Sequence, residues 1–270
     1  MVSWGGTLDD MKQLDDAIKL YDKVISRFGD AQEAGICRAV ARAFLQKACV
    51  LNALERGAEE ILLYDQVVSR FGDRREPEVQ EKVAEALAQK GDALSLMGRP
   101  ESALAVYDEL LARFEQVAED AILVKVAGAL SMKGCTLGEL GRYPEAVQVY
   151  NAALARFDDS TEPEIRKTVA NLLTNKGDAL GNLKQYEGVL EVCDEVEARF
   201  GDDSDPGIRW YVATATLNKG DALHQLGRSD EAVRVYGELI SRYGKDSEPE
   251  IRETVADARR NKKAALRKVH

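Results

Sequence analysis

An arginine followed by an aromatic residue returns every 43 positions: Arg27-Phe28, Arg70-Phe71, Arg113-Phe114, Arg156-Phe157, Arg199-Phe200 and Arg242-Tyr243. Val40, Val83, Val126, Val169, Val212 and Val255 keep the same step, each followed by alanine. So do Leu51, Leu94, Leu137, Leu180, Leu223 and Leu266. Tyr21, Tyr64, Tyr107 and Tyr150 form a further column, continued by Cys193 and Tyr236. A strict period confines the chain to repeat architectures. Each copy is then one supersecondary unit whose apolar stripe is buried only by stacking on its neighbours.

Each unit reads as two helices. The first opens at a carboxylate followed by proline in Glu76-Pro77, Glu162-Pro163, Asp205-Pro206 and Glu248-Pro249. Proline suits the first helical turn, and negative charge there complements the helix dipole. The boundary at Asp120 lacks the proline. Apolar residues follow at helical spacing, as in Val83, Leu87, Leu94 and Met97, and Gly98, Gly141 and Gly227 mark the stop. Pro100 and Pro144 then open second helices that close at Gly29, Gly72, Gly201 or Gly244. No alternating apolar run argues for a strand. The expectation is an all-α, right-handed α-solenoid of stacked antiparallel helix pairs. It comprises an incomplete unit at 1–33, full repeats at 34–76, 77–119, 120–162, 163–205 and 206–248, and a terminal cap helix at 249–270.

Composition narrows the function. The net charge of −10 opposes a nucleic-acid partner, which needs a basic footprint, and weakly opposes an anionic membrane surface. No apolar run is expected to approach the roughly 18 residues that cross a bilayer. The first residues lack the charged-then-apolar order of a signal peptide, so a cytoplasmic location is expected. Cys37, Cys49, Cys135 and Cys193 contain no CxxC pair, and the histidines are His224 and His270. Neither a metal site nor a disulfide framework is expected. Cys37 and Cys49 share one helix, about 18 Å apart. No phosphate-binding loop or nucleophile motif appears. The expectation is a protein that is not an enzyme and takes no cofactor.

The residues resemble the tetratricopeptide repeat. That family places a glycine in the middle of the first helix, an alanine early in the second and an aromatic residue four positions later. Gly91, Ala103 and Tyr107 match, as do Gly134, Ala146 and Tyr150, Gly220, Ala232 and Tyr236, and Gly5, Ala17 and Tyr21. The likeness spans essentially the whole chain, with departures. The family period is about 34, so the extra residues lengthen the first helix at its start. The family's tryptophan position holds Phe44, Leu87, Leu130, Leu173 and Thr216, and the closing proline is absent. Ala48 replaces one glycine, while Glu60 and Val189 replace alanines.

Lysine fills a column where the family prefers leucine: Lys47, Lys90, Lys133, Lys176, Lys219 and Lys262. Seven residues after the valine column and four before the leucine column, it shares their stripe. Aspartates recur on the second helix at Asp22, Asp65, Asp108 and Asp194, with Asn151 and Gly237 as exceptions. One reading is a structural ion-pair ladder, Lys90 with Asp108 and Lys176 with Asp194. The other is that each lysine packs its stem and extends its head to solvent.

The resemblance implies that first helices line a concave, partner-binding face. Carried over one by one, its residues are Glu85, Asp92, Ser95, Asn171, Thr174, Asp178, Asn182, Thr214, Asp221, His224 and Gln225. Asp92, Asp178 and Asp221 form an acidic column interrupted by Cys49 and Cys135. Such a groove suits a protein or peptide segment bearing Lys or Arg, unless it is an ordinary solvated face. The expected function is a protein-interaction scaffold; the alternative is a regulatory sensor module that takes a small ligand in the groove, or an arm of a larger multidomain protein. Asn175 and Asn218 match an asparagine with which some family members grip a C-terminal carboxylate. Ala88, Ser131, Thr174 and Leu217 stand where the accompanying lysines would be, so that grip is not expected. The basic cluster around Arg259, Arg260, Lys262 and Lys263 reads as a polar cap. The chain opens in mid-unit, with Trp4 in the lysine column and Gly5 in the glycine position, and closes on a first helix. This is the pattern of a fragment of a longer solenoid, or of ends that self-associate head to tail.

Overall fold

The computed structural model of the protein describes residues 8–269. They form twelve helices: α1 (Leu8–Phe28), α2 (Ala34–Ala53), α3 (Gly57–Phe71), α4 (Pro77–Leu96), α5 (Pro100–Arg113), α6 (Asp120–Glu139), α7 (Tyr143–Phe157), α8 (Pro163–Asn182), α9 (Tyr186–Phe200), α10 (Pro206–Gln225), α11 (Ser229–Tyr243) and α12 (Pro249–Val269). No strand occurs among the described residues. First helices from α2 to α12 begin 43 residues apart, and the fold is an all-α solenoid. Trp4 and Gly5 lie outside the described residues.

The chain divides into two compact units, one ending at Ala129 and the other starting at Leu130, inside α6. In the first, α2 packs on α1, α3 and α4, and α4 on α3 and α5. In the second, α8 packs on α7, α9 and α10, and α10 on α8, α9, α11 and α12. First helices thus approach each other directly, α8 to α10 and α10 to α12. Among the described residues α9 and α11 make no such approach. The Val-Ala pairs belong to the buried core. Val83, Val169, Val212 and their following alanines are at most 1% exposed, and burying such a valine stabilises by roughly 1.5–3 kcal/mol. Alanine beside it keeps the backbones close.

Helix ends follow the local sequence. Glu162 and Asp205 accept the Ile165 and Ile208 amides at 2.9 and 3.0 Å, closing the first turns of α8 and α10. Glu76 instead holds Arg74, at 2.6 Å. Gly98, Gly141 and Gly227 take left-handed φ of 70°, 72° and 77° after the first helices. The same position in the other two repeats is Glu55 (58°) and Lys184 (59°). Each non-glycine residue there costs roughly 1–2 kcal/mol, and the turn still closes, with the Gln185 amide donating to Leu180 at 2.9 Å.

The arginine column links repeats. Arg199 donates to the Asp158 carbonyl at 2.9 Å, and Arg242 to the Gly201 carbonyl. The Arg70 and Arg113 guanidiniums lie beside Gly29 and Gly72. Each cation sits at the carbonyl end of the preceding second helix, where the dipole is negative. The Arg156, Arg199 and Arg242 guanidiniums also lie 5.2–5.3 Å from the ring centre of the residue that follows.

One expectation is corrected here. Helix α6 is long and apolar enough, by length and composition, to cross a membrane, with a mean hydropathy of 1.3 over its best window. Lys125 and Lys133 break its apolar run, so no continuous stretch shows it. The low density of charge over a twenty-residue helix does. Ile122, Val126, Ala127 and Leu137 on that helix are buried within the protein.

Candidate functional site

The family glycine and the tyrosine column meet inside three of the helix pairs. A Cβ on Gly91 would lie 2.3 Å from the Tyr107 ring, on Gly134 2.2 Å from Tyr150, and on Gly220 2.4 Å from Tyr236. The tyrosine hydroxyls end at the column directly after the glycines. Tyr107 donates to Asp92 Oδ1 at 2.7 Å and Tyr236 to Asp221 Oδ1 at 2.5 Å, while Tyr150 meets Cys135 Sγ at 3.7 Å. Tyr64 lacks an aspartate at position 49 and donates to Glu60 Oε1 at 2.9 Å. The acidic column is therefore partly internal structure, with Asp92 and Asp221 receiving buried hydroxyls.

Asp178 is the exception, because Cys193 stands where its tyrosine would be. The nearest side-chain atom to a Cβ on Gly177 is Val192 Cγ1, at 3.9 Å. A cavity of about 270 Å³ opens there between α8, α9 and α10. Asp178, Asn182, Asp221 and Gln225 line it, with Tyr186 and Val189 from α9. Asn218 donates to Asp178 Oδ1 at 2.5 Å, and Asn261 to Asp221 Oδ1 at 2.8 Å. Asn175 makes the equivalent contact to Cys135 Sγ at 3.2 Å. Oδ2 of both aspartates accepts nothing among the described residues. Asp178 opens to solvent on one side, yet the surrounding protein pushes its carboxyl up from 3.8 to about 6, against the opposing pull of Asn218. Burial pushes the Cys193 thiol up to about 12, which keeps it a packing group rather than a thiolate.

The remaining sequence-expected residues are dispersed. Glu85 is neutralised by Lys82 at 2.8 Å, and with Asp92 and half-buried Ser95 belongs to the first unit. Asn171 accepts from the Ser131 hydroxyl and from Asn175 at 3.1 Å. Thr174 is not on an open face. It is 4% exposed and returns its hydroxyl to the Ala170 carbonyl at 2.9 Å, because its helix position points between α8 and its neighbours. The Thr214 hydroxyl is buried and has no partner among the described residues. His224 Nδ1 lies 3.3 Å from the Ser229 hydroxyl. With Asp221 and Gln225 it borders a second cavity of about 280 Å³, walled by Tyr236 and Asn261. Sequence reasoning missed Tyr186 and the role of the asparagines. Their signal was an asparagine directly before three of the column lysines, at 175, 218 and 261.

The lysine pairing differs from the expected one. Lys90 meets Asp65 at 2.6 Å and Lys47 meets Asp22 at 2.7 Å, while Asp194 meets Lys219 and not Lys176. Each pair spans 25 residues and joins a first helix to the second helix before it. The reason is angular. Lysine precedes the glycine that faces its own second helix, and one residue turns about 100° round the axis. The lysine side chains are 18–33% exposed and the aspartates 48–63%. The stem is packed, the head is paired near water, and such a pair is worth about 0–1 kcal/mol.

Replacing Asp178 by asparagine will stabilise the fold at neutral pH. Its folded pKa lies above the ordinary one, so protonation favours the native state, and stability from this group falls as pH rises from about 4 to about 6. Asp178→Asn keeps the oxygen that receives Asn218 and removes the charge. The melting temperature at pH 7 should rise by roughly 2 °C, kept small by the carboxylate's access to solvent, and the difference should vanish near pH 4. A difference that is unchanged between pH 4 and 7 contradicts it.

Tetratricopeptide-repeat family profiles match residues 84–116, 127–158 and 213–238. No curated protein matches the chain in sequence. The fold is similar to the crystal structure of BtubC (BKLC) from P. vanneervenii, with a TM-score of 0.62 at 14% identity over 97% of this chain and 93% of that one. It is also similar to a tetratricopeptide repeat protein from Parabacteroides merdae, with a TM-score of 0.54 at 16% identity over 96% and 85%.

Proposed function

We propose that this chain, a tetratricopeptide-like repeat protein, is a non-catalytic protein-interaction scaffold that receives a basic peptide or protein segment along its first helices. The carrying observation is the row formed by α8, α10 and α12, on which Asp178 and Asp221 each keep one carboxylate oxygen free of donors among the described residues. A row of acceptors at fixed repeat spacing, on a chain of net charge −10, complements a cationic segment and repels an acidic one. The asparagine amides at 175, 218 and 261 donate to internal acceptors, which argues against gripping a partner's carboxylate.

Fluorescence anisotropy with labelled fifteen-residue peptides tests the reading. An arginine- and lysine-rich peptide should bind at least about tenfold more tightly than a neutral one, and addition of salt should weaken it. An acidic peptide should not bind. Equal affinity for all three would end the proposal.

A further inference from the structure

The cavity beside Asp178 exists because one repeat departs from the pattern of the others. In three repeats a tyrosine ring covers the glycine of the first helix. At Gly177 the column residue is Cys193, and its side chain is too short to do so. Val189 replaces the early alanine of the same second helix and forms part of the wall. The opening is about 270 Å³, smaller than the pockets of drug-sized ligands and suited to one long side chain. Its charged groups are both acceptors, Asp178 and Asp221. The neutral Asn182, Asn218, Gln225 and Tyr186 complete the polar lining, and Asn182 turns its nitrogen to the Asp178 carbonyl at 2.9 Å, leaving its amide oxygen as a further acceptor. No lysine or arginine lines it. The Tyr186 ring supplies an aromatic wall.

We infer that this cavity is the anchor for a single arginine side chain of the bound segment, an inference that rests on the basic-segment reading above. Acceptors divided between α8 and α10 match a planar guanidinium with five donors better than a point-like ammonium, and a guanidinium also stacks on an aromatic face. Two carboxylates line the cavity with no lysine or arginine among the lining residues, and the arginine supplies the cation.

Nuclear magnetic resonance titration of the whole chain tests the assignment. The probe is an alanine- and glycine-based nonapeptide carrying one arginine. Its controls are the same peptide with citrulline, a neutral isostere, and free agmatine. The arginine peptide should shift the amide signals of Gly177 and Gly181 and the side-chain amides of Asn182 and Asn218 saturably, at least about tenfold more tightly than citrulline. Cys193→Tyr restores the ring found in the other repeats and gives Asp178 the hydroxyl that Asp92 and Asp221 receive. It should abolish these shifts and leave the remaining spectrum intact. Citrulline binding as well as arginine would overturn the inference, and that comparison uses only the unaltered protein. Agmatine binding as tightly as the peptide would overturn a protein-borne source. If the arginine- and lysine-rich fifteen-mer binds the unaltered protein and the folded Cys193→Tyr variant equally, the pocket is wrong and the scaffold reading stands. If that peptide ignores the unaltered protein, both fall.

Discussion

Alanine at Gly91 will destabilise the protein by about 2–3 kcal/mol, whereas alanine at Gly177 will stabilise it by about 0.5–1 kcal/mol. The two glycines occupy the same helix position two repeats apart. On intrinsic propensity both substitutions help, because glycine in a helix interior is worse than alanine. Packing reverses the sign at Gly91. The new methyl would stand 2.3 Å from Tyr107 Cε1, and that ring is fully buried and tied to Asp92, so neither side yields without strain. At Gly177 nothing lies closer than 3.9 Å. Urea unfolding of both variants, with local hydrogen exchange to place the change in the correct repeat, decides it. Destabilisation of similar size at both sites would show that the missing ring leaves no room at Gly177.

Glu60→Ala is expected to cost about 2–4 kcal/mol, and Glu60→Gln less than about 1 kcal/mol. Glu60 is 3% exposed. Its Oε1 receives the Tyr64 hydroxyl at 2.9 Å and its Oε2 the Asn52 amide at 3.0 Å. Alanine would orphan the buried hydroxyl and leave a void. Glutamine keeps an acceptor for Tyr64, and Asn52 can present its own oxygen to the new amide group. The measurement is the urea midpoint together with exchange protection in α2 and α3. A glutamine variant as damaged as the alanine one would show that the negative charge itself is needed.

Both predictions come from places where the chain breaks its own pattern, and this marks how far the sequence was legible. Many interior helix boundaries follow from the period, the prolines and the glycines, because those features act locally, while Asp120 opens α6 without proline and Glu55 and Lys184 close their turns without glycine. The glycine–tyrosine contact was visible as a family spacing. What spacing did not show was where each tyrosine hydroxyl ends, so Asp92, Asp178 and Asp221 looked equivalent. They are not, since two receive a tyrosine and the third faces an opening. Cys193 was visible as an exception in its column. Its consequence depends on volume across a helix pair, which a one-dimensional pattern does not carry. The lysine partners were misassigned for a related reason. Periodicity places lysine and aspartate on paired helices but does not say which neighbouring second helix the lysine faces. Glu60 replacing alanine and Ala48 replacing glycine were likewise read as two separate departures. In the structure position 49 offers no carboxylate, and Glu60 supplies the acceptor that Tyr64 needs.

The arginines that reach back to the preceding second helix give the stack a direction. Arg242 serves the carbonyl end of α9, and Arg199 that of α7. For this contact to its carbonyl end, α7 relies on α9 and α9 on α11. When α11 melts, Arg242 leaves with it and the final turn of α9 is left to fray. When α9 melts first, Arg242 loses Glu197 and the Gly201 carbonyl, but the carbonyls that end α11 lose no arginine. From α11 to α9 to α7, disorder entering from the higher-numbered side is therefore handed on one helix pair at a time, whereas disorder travelling the other way takes a partner from an arginine but no arginine from a helix end.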